Sequence, residues 1–211
     1  MNVERHIVQL RVIRKRSGQR VVAELNDGET IEVDPEVVVR HSLKTGAPVN
    51  EEMIEQLEQE DELLRARRRL TGYLALRVKS VADARLYLEK GGFSEAAVAA
   101  AIEDATERDL LDDRRFAERY VRSRLKTTTL GPLRLLAELS SHGIEPSLAE
   151  EVVRPQFNRD WQLRVAQTLA RKRTRNTRSE SEEDEVKSLY HWLKLRGFED
   201  DIARAVAECA T

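Results

Sequence analysis

The chain has 211 residues, enough for one or two folded units and too few for a large multidomain assembly. Hydrophobic residues make up 40% and charged ones 35%, well above the roughly 25% charge of an average globular protein, so each element should bury one narrow side only. The net charge of −2 conceals 36 Lys and Arg against 38 Asp and Glu, two populations whose placement matters more than their sum.

Residues 1–49 read as a small β-rich unit. Val8, Leu10 and Val12 alternate with Gln9 and Arg11, Val21, Ala23 and Leu25 alternate again, and Ile31 and Val33 follow, which predicts a three-stranded meander. Arg16-Ser17-Gly18-Gln19 would close the first hairpin and Asp27-Gly28, as a two-residue type I′ pair, the second. Asp34-Pro35-Glu36 supplies an N-cap, a proline at N1 and an acidic first turn for a short helix through Val37-Val38-Val39. Helical patterns dominate from Asn50, the next N-cap, with Val49 placed to staple onto Ile54. Met53, Ile54, Leu57, Leu63, Leu64 and Leu70 supply the apolar side of this helix, and residues 50–66 read as a connecting segment. Its first half is acidic, and Arg65 to Arg69 follow, an order that complements the helix dipole.

A repeat emerges next. Leu88 to Phe93, Leu139 to Ile144 and Leu193 to Phe198 each place Leu four residues before a Gly, then a large apolar residue and a new helix. Gly92, Gly143 and Gly197 fit the left-handed position past a helix end, and they recur with a period of about 50 residues, room for three short helices. Ser94 reads as an N-cap with Phe93 and Val98 as its staple, and Pro146 as an N1 residue. The fold class is therefore mainly α: three tandem three-helix modules in an elongated, curved array over residues 67–109, 110–156 and 157–211, behind the β-meander unit. The third module carries a charged insertion at 171–185.

Chemistry-bearing motifs are sparse. Phosphate-loop, dinucleotide, zincin and EF-hand patterns are missing from the sequence, and His6, His41, His142 and His191 share no ligand spacing, so neither an enzyme nor a cofactor or metal site is expected. The single cysteine, Cys209, reads as a free thiol at a helix end. No apolar run has the ~18 residues of a membrane span and Met1 to His6 lacks a signal-peptide core, which predicts a cytoplasmic chain without membrane contact. Positive charge is clustered: Arg114, Arg115, Arg119, Arg122, Arg124, Lys126 and Arg134 face only Glu118 within their stretch, and Arg159, Arg164, Arg171, Lys172, Arg173, Arg175 and Arg178 face only Asp160. Arg65 to Lys79, with Arg68, Arg69, Arg77 and Lys79, adds a third cluster. Solvated, salt-bridged faces are the ordinary alternative to a binding track for such runs. Phe93, Phe116, Tyr120, Trp161, Trp192 and Phe198 fall at core positions, so backbone tracking of a nucleic acid is favoured over base stacking.

The stretch Leu110 to Arg124, followed by Leu130-Gly131-Pro132 and by Leu139-Ser140-Ser141-His142-Gly143-Ile144, resembles the RecX regulatory protein family. Its signature LDD-x-RFA-x-x-Y-V-x-x-R is legible at Asp112, Asp113, Arg115, Phe116, Ala117, Tyr120, Val121 and Arg124. The resemblance spans roughly residues 67 to 207 and is strongest in the middle module. It implies a non-enzymatic monomer that binds RecA recombinase filaments together with single- and double-stranded DNA through backbone contacts, and that inhibits RecA's ATPase, recombination and coprotease activities during DNA repair and the SOS response. The expected partner and DNA contacts are Arg68, Arg69, Arg77, Lys79, Arg115, Arg119, Arg122, Arg124, Lys126, Arg134, Arg164, Arg171, Lys172, Arg173 and Arg175. Asp112 is expected as an N-cap, Phe116 and Tyr120 as core, and Asp113, if exposed, as a partner for a neighbouring Arg or for the bound protein. A DNA-binding transcriptional regulator built from helix-turn-helix-like modules is the alternative.

Overall fold

Apolar alternation between Ile7 and Val33 produces a three-stranded antiparallel sheet in the computed structural model, which describes residues 5–15, 18–174 and 182–210. Strands β1 (Ile7–Lys15), β2 (Gly18–Leu25) and β3 (Thr30–Val33) lie in the order β1-β2-β3, with Val12 opposite Val21 and Ala23 opposite Ile31. The inner face is Ile7, Val21, Ala23, Leu25, Ile31 and Val33. Two local expectations are corrected. The register shift between Ile7 and Gln9 brings Ile7 and Leu10 onto the face of Leu25 and Ala23 and leaves Val8 exposed, while Val12, on that same face opposite Val21, is 67% exposed. The second hairpin is not a two-residue turn, because only Gly28 has positive φ (89°). The Gly28 amide donates to the Leu25 carbonyl at 3.0 Å and the Leu25 amide to Glu29 at 2.8 Å, which is a three-residue loop closed by a left-handed glycine.

The described residues divide into two compact units, 1–77 with 85–108 and 78–84 with 109–211. In the first, α1 (Pro35–Arg40) starts where the Asp34 carboxylate accepts the Glu36 amide at 3.0 Å, and α2 (Glu51–Leu74) where the Asn50 side chain accepts that of Met53 at 2.8 Å. Val49, Ile54 and Leu57 close over the sheet core. Helix α2 runs unbroken for 24 residues, through position 66, and its second half packs with α4 (Glu95–Glu107), which follows α3 (Val81–Glu89). The apolar side of α2 also carries Asp61, only 2% exposed. Its carboxylate takes a bidentate pair from buried Arg20 (2.5 and 2.8 Å), the Asp34 amide (2.7 Å) and Arg65 Nε (2.9 Å).

The second unit contains two helix triplets: α5 (Asp113–Thr127), α6 (Pro132–Ser141) and α7 (Pro146–Val153), then α8 (Arg159–Thr174), α9 (Glu182–Leu195) and α10 (Asp200–Cys209). Ten α-helices among the described residues, behind one small sheet, match the mainly helical class read from periodicity. Phe116, Val121, Leu135, Leu139, Ile144 and Val153 fill the first core, and Leu189, Leu193, Phe198, Ile202 and Val206 the second. The repeat glycines behave as their spacing predicts, with φ of 79° at Gly92, 71° at Gly143 and 86° at Gly197. The amides of Ile144 and Phe198 reach back to Leu139 and Leu193, the helix-closing bond that such glycines permit. The charged segment is helical at both described ends, Arg171 to Thr174 finishing α8 and Glu182 to Glu185 opening α9. Arg175 lies outside the described residues.

Candidate nucleic-acid interface

Helix α5 exists because Asp112 caps it, accepting the Arg115 amide at 3.0 Å, and because Phe116, Ala117 and Val121 bury one side. With 3.6 residues per turn, Arg115, Arg119, Arg122 and Lys126 fall on one strip, diametrically across from Ala117 and Arg124. All four are exposed and, with Glu118 and Ser123, line a shallow depression of about 430 Å³. Arg115 donates to the Asp109 carbonyl at 2.6 Å, which leaves its charge uncompensated, and the other three make no ion pair among the described residues. Four cations in about three turns, against one carboxylate, suit the evenly spaced charges of a phosphate backbone.

Arg124 and Arg134 belong to a different arrangement. Both close on Glu138, Arg124 through Nε and Nη2 at 2.8 Å each and Arg134 through Nε at 3.0 Å, and the Tyr120 hydroxyl donates to the same carboxylate at 3.1 Å. Burial opposes the charged form of Glu138, but hydrogen bonds from Arg124, Arg134 and Tyr120 outweigh it and hold the carboxyl below its usual range. Burial and the adjoining Glu138 charge push the Tyr120 hydroxyl up. Sequence alone gives little reason to single out Glu138. Its spacing of four from Arg134 was the one local signal, and its pairing with Arg124 is tertiary.

Asp113, expected to pair with a neighbouring Arg or with the bound protein if exposed, is half-buried and accepts the Val81 amide at 2.8 Å where α3 begins. Burial, aided by the charges of Asp112 and Asp83, raises its carboxyl above the ordinary value despite that bond. Beside it His142 Nδ1 lies 2.9 Å from Asp83, with the ring edge-on to Phe116 and Tyr120.

The remaining sequence-derived cations are dispersed. Arg68 closes on Asp34 and Glu36, and Arg69 lies 5.0 Å over the Tyr87 ring, itself stacked on Tyr73 at 4.0 Å. Arg77 is exposed beyond the end of α2, and Lys79 is half-buried and engaged. On α8, Arg164, Arg171 and Lys172 are exposed, whereas Arg173 donates to Ser188 at 2.9 Å and lies 4.9 Å from the Trp192 ring. Arg196 sits 4.3 Å from that same ring, so Trp192, expected in the core, packs against it half-buried with two guanidinium groups on its ring. Phe116 and Phe198 are buried as expected, and Tyr120, Trp161 and Phe93 half-buried. Among the described residues no group of three or more His, Cys, Asp or Glu could hold a metal, and no helix is long and apolar enough to cross a membrane.

Residues 112–153, which hold α5 to α7 and both charge arrangements, match the family model for the second three-helix domain of RecX. The regulatory protein RecX of Geobacillus kaustophilus is 27% identical over 82% of this chain and 64% of its own length, and that of Halalkalibacterium halodurans 30% identical over 65% and 53%. The chain thus spans between about half and two thirds of these relatives. RecX of Listeria monocytogenes is 26% identical over 94% of the chain and 74% of the relative. A crystal structure of a regulatory protein RecX aligns over 97% of this chain and 99% of its own at a TM-score of 0.70 with 22% identity. RecX from Lactobacillus salivarius aligns over 72% and 97% at 0.60, also with 22% identity. At that identity the two structures speak for the fold alone.

Proposed function

We propose that this chain, whose residues 112–153 match a RecX domain model and which resembles regulatory proteins RecX along most of its length, is a cytoplasmic, non-enzymatic regulator that binds RecA filaments on DNA and restrains their ATP hydrolysis, recombination and coprotease activities during repair and the SOS response. The observation that carries this reading is the strip Arg115, Arg119, Arg122 and Lys126, which lies inside the family-matched segment. A chain of this kind inhibits by binding one filament state more tightly than another, which requires no catalytic group. The strip supplies charge without base-reading amides, and α4, with Glu95 and Glu103 exposed, is a poor reader of base edges, so contact through the sugar-phosphate backbone is favoured over operator recognition. The test is a titration of RecA's ATPase on single-stranded DNA with this protein. Hydrolysis should slow, and the double charge reversal Arg119→Glu, Arg122→Glu should weaken the effect. Unchanged hydrolysis at saturating protein would overturn the reading.

A further inference from the structure

Glu118, Arg122 and Lys126 form a ridge on α5 with a depression on either side. One holds Arg119 and Ser123, and the other is a groove of about 480 Å³ running toward α7 and the turn that follows it. The two differ in chemistry. The groove has an apolar floor of Val121, Leu125, Val152 and Pro155 under the cations of the ridge. One end is closed by Arg114, whose guanidinium is spent on Glu151 at 2.5 Å, while Arg122 and Lys126 at the shared ridge make no ion pair among the described residues. A sugar-phosphate backbone would satisfy these two cations but offers only the C–H edges of its sugars to Val121 and Pro155, far less than a whole apolar side chain. An acidic protein segment with an apolar side chain satisfies both.

We propose that the α5–α7 groove docks an acidic peptide segment of a partner protein, an apolar side chain on the Val121, Leu125 and Val152 floor and carboxylates on Arg122 and Lys126. The same two cations serve the nucleic-acid strip, so the acidic segment and a nucleic acid exclude one another. Docking of the peptide is independent of the function proposed above, and only the exclusion rests on it.

Two exposed positions separate the surfaces: Gln156 lines the groove alone and Arg119 the strip alone. The probe is a short fluorescein-labelled peptide of Asp and Glu around a central Leu-Phe pair, titrated into the full chain by anisotropy, with a labelled single-stranded oligonucleotide in parallel. The peptide should bind saturably. Gln156→Glu should weaken it about fivefold, the effect of one added charge beside the ligand, and leave the oligonucleotide within about twofold. Arg119→Glu should do the reverse, Arg122→Glu should weaken both, and unlabelled oligonucleotide should displace the peptide. No saturable binding, or equal binding when Ser-Ser replaces Leu-Phe, overturns the groove as a peptide site. Peptide binding without any oligonucleotide binding leaves the groove standing and removes the nucleic-acid strip instead.

Discussion

The three repeat glycines share a backbone conformation but not an environment, which makes them an internal experiment. A Cβ added at Gly92 would meet nothing within 4 Å, whereas at Gly197 it would lie 2.1 Å from the Arg134 amide nitrogen and 2.7 Å from its Cα. The Gly197 turn also accepts the start of α6, with the Gly131 amide on the Arg196 carbonyl at 2.8 Å and the Leu133 amide on that of Gly197 at 3.0 Å. Gly92→Ala should therefore cost only left-handed strain, ~1–2 kcal/mol, less the ~0.5 kcal/mol returned by a stiffer unfolded chain. Gly197→Ala adds backbone overlap that parts the two elements, and losing both hydrogen bonds at ~1 kcal/mol each brings the total to about 3 kcal/mol or more. Gly131→Ala separates these contributions, since its φ of −83° strains no side chain while its Cβ would sit 2.2 Å from the Gly197 carbonyl oxygen. Urea denaturation, with hydrogen exchange at the Leu133 amide as a local readout, should rank Gly92→Ala mildest and the other two well below it, with Leu133 protection lost in both. A Gly131→Ala protein as stable as Gly92→Ala, with Leu133 still protected, would refute the argument.

Other consequences follow from the charged groups. Asp61→Ala leaves Arg20 and the Asp34 amide buried without their acceptor and should cost ~3–5 kcal/mol by denaturation, part of which the double variant Arg20→Met, Asp61→Leu should recover. Glu138 has a lowered folded pKa, so its stabilisation is complete above the unfolded value near 4.5 and is lost as pH falls through the folded one. Stability measured across that acid range should fall less steeply in Glu138→Gln. Asp113 carries the opposite sign: with its folded pKa raised, ionisation costs stability at neutral pH. Asp113→Asn, whose side-chain oxygen still accepts the Val81 amide, should match or exceed the parent at pH 7, its advantage vanishing on acidification. If the four strip cations contact phosphates, the logarithm of affinity for single-stranded DNA should fall against that of salt with a slope of about −3, reduced by about 0.7 in Arg122→Ala and unchanged in Arg124→Ala.

Features written in a few adjacent residues were legible in the sequence. Asp34 with Pro35, Asn50 with Val49, Ser94 with Phe93, and Asp112 all cap the helices they announce, because a cap bonds an amide two or three positions away. The glycine repeat was legible for the same reason, since left-handed φ narrows the choice of residue. What escaped depends on chain far away. The bulge at Ile7 to Gln9 leaves Val8 outside the core without any change in composition, and Asp61 pairs with Arg20 across 41 positions. Trp192 matched an apolar repeat position, yet its ring is covered by Arg173 and Arg196 as well as by the core. Charge count along the sequence does not separate Arg124 and Arg134, which pair with Glu138, from the exposed cations of the strip.

Helical phase is what divides them. Residues 115, 119, 122 and 126 advance by four, three and four positions and stay on the solvent strip, whereas 124 falls half a turn away, on the side that α6 covers. A guanidinium there must be neutralised, and Glu138 does so with both oxygens while also holding Arg134 and Tyr120. A lysine at 124 would carry the same charge but could not span both carboxylate oxygens as a planar fork, so this position calls for arginine in particular. A phosphate-binding strip would make no such demand, for a point charge near a phosphate needs reach and solvation more than orientation, and Lys126 already stands among its arginines. The same charge thus anchors α5 to its core at one phase of the helix and leaves a cationic edge exposed at the other.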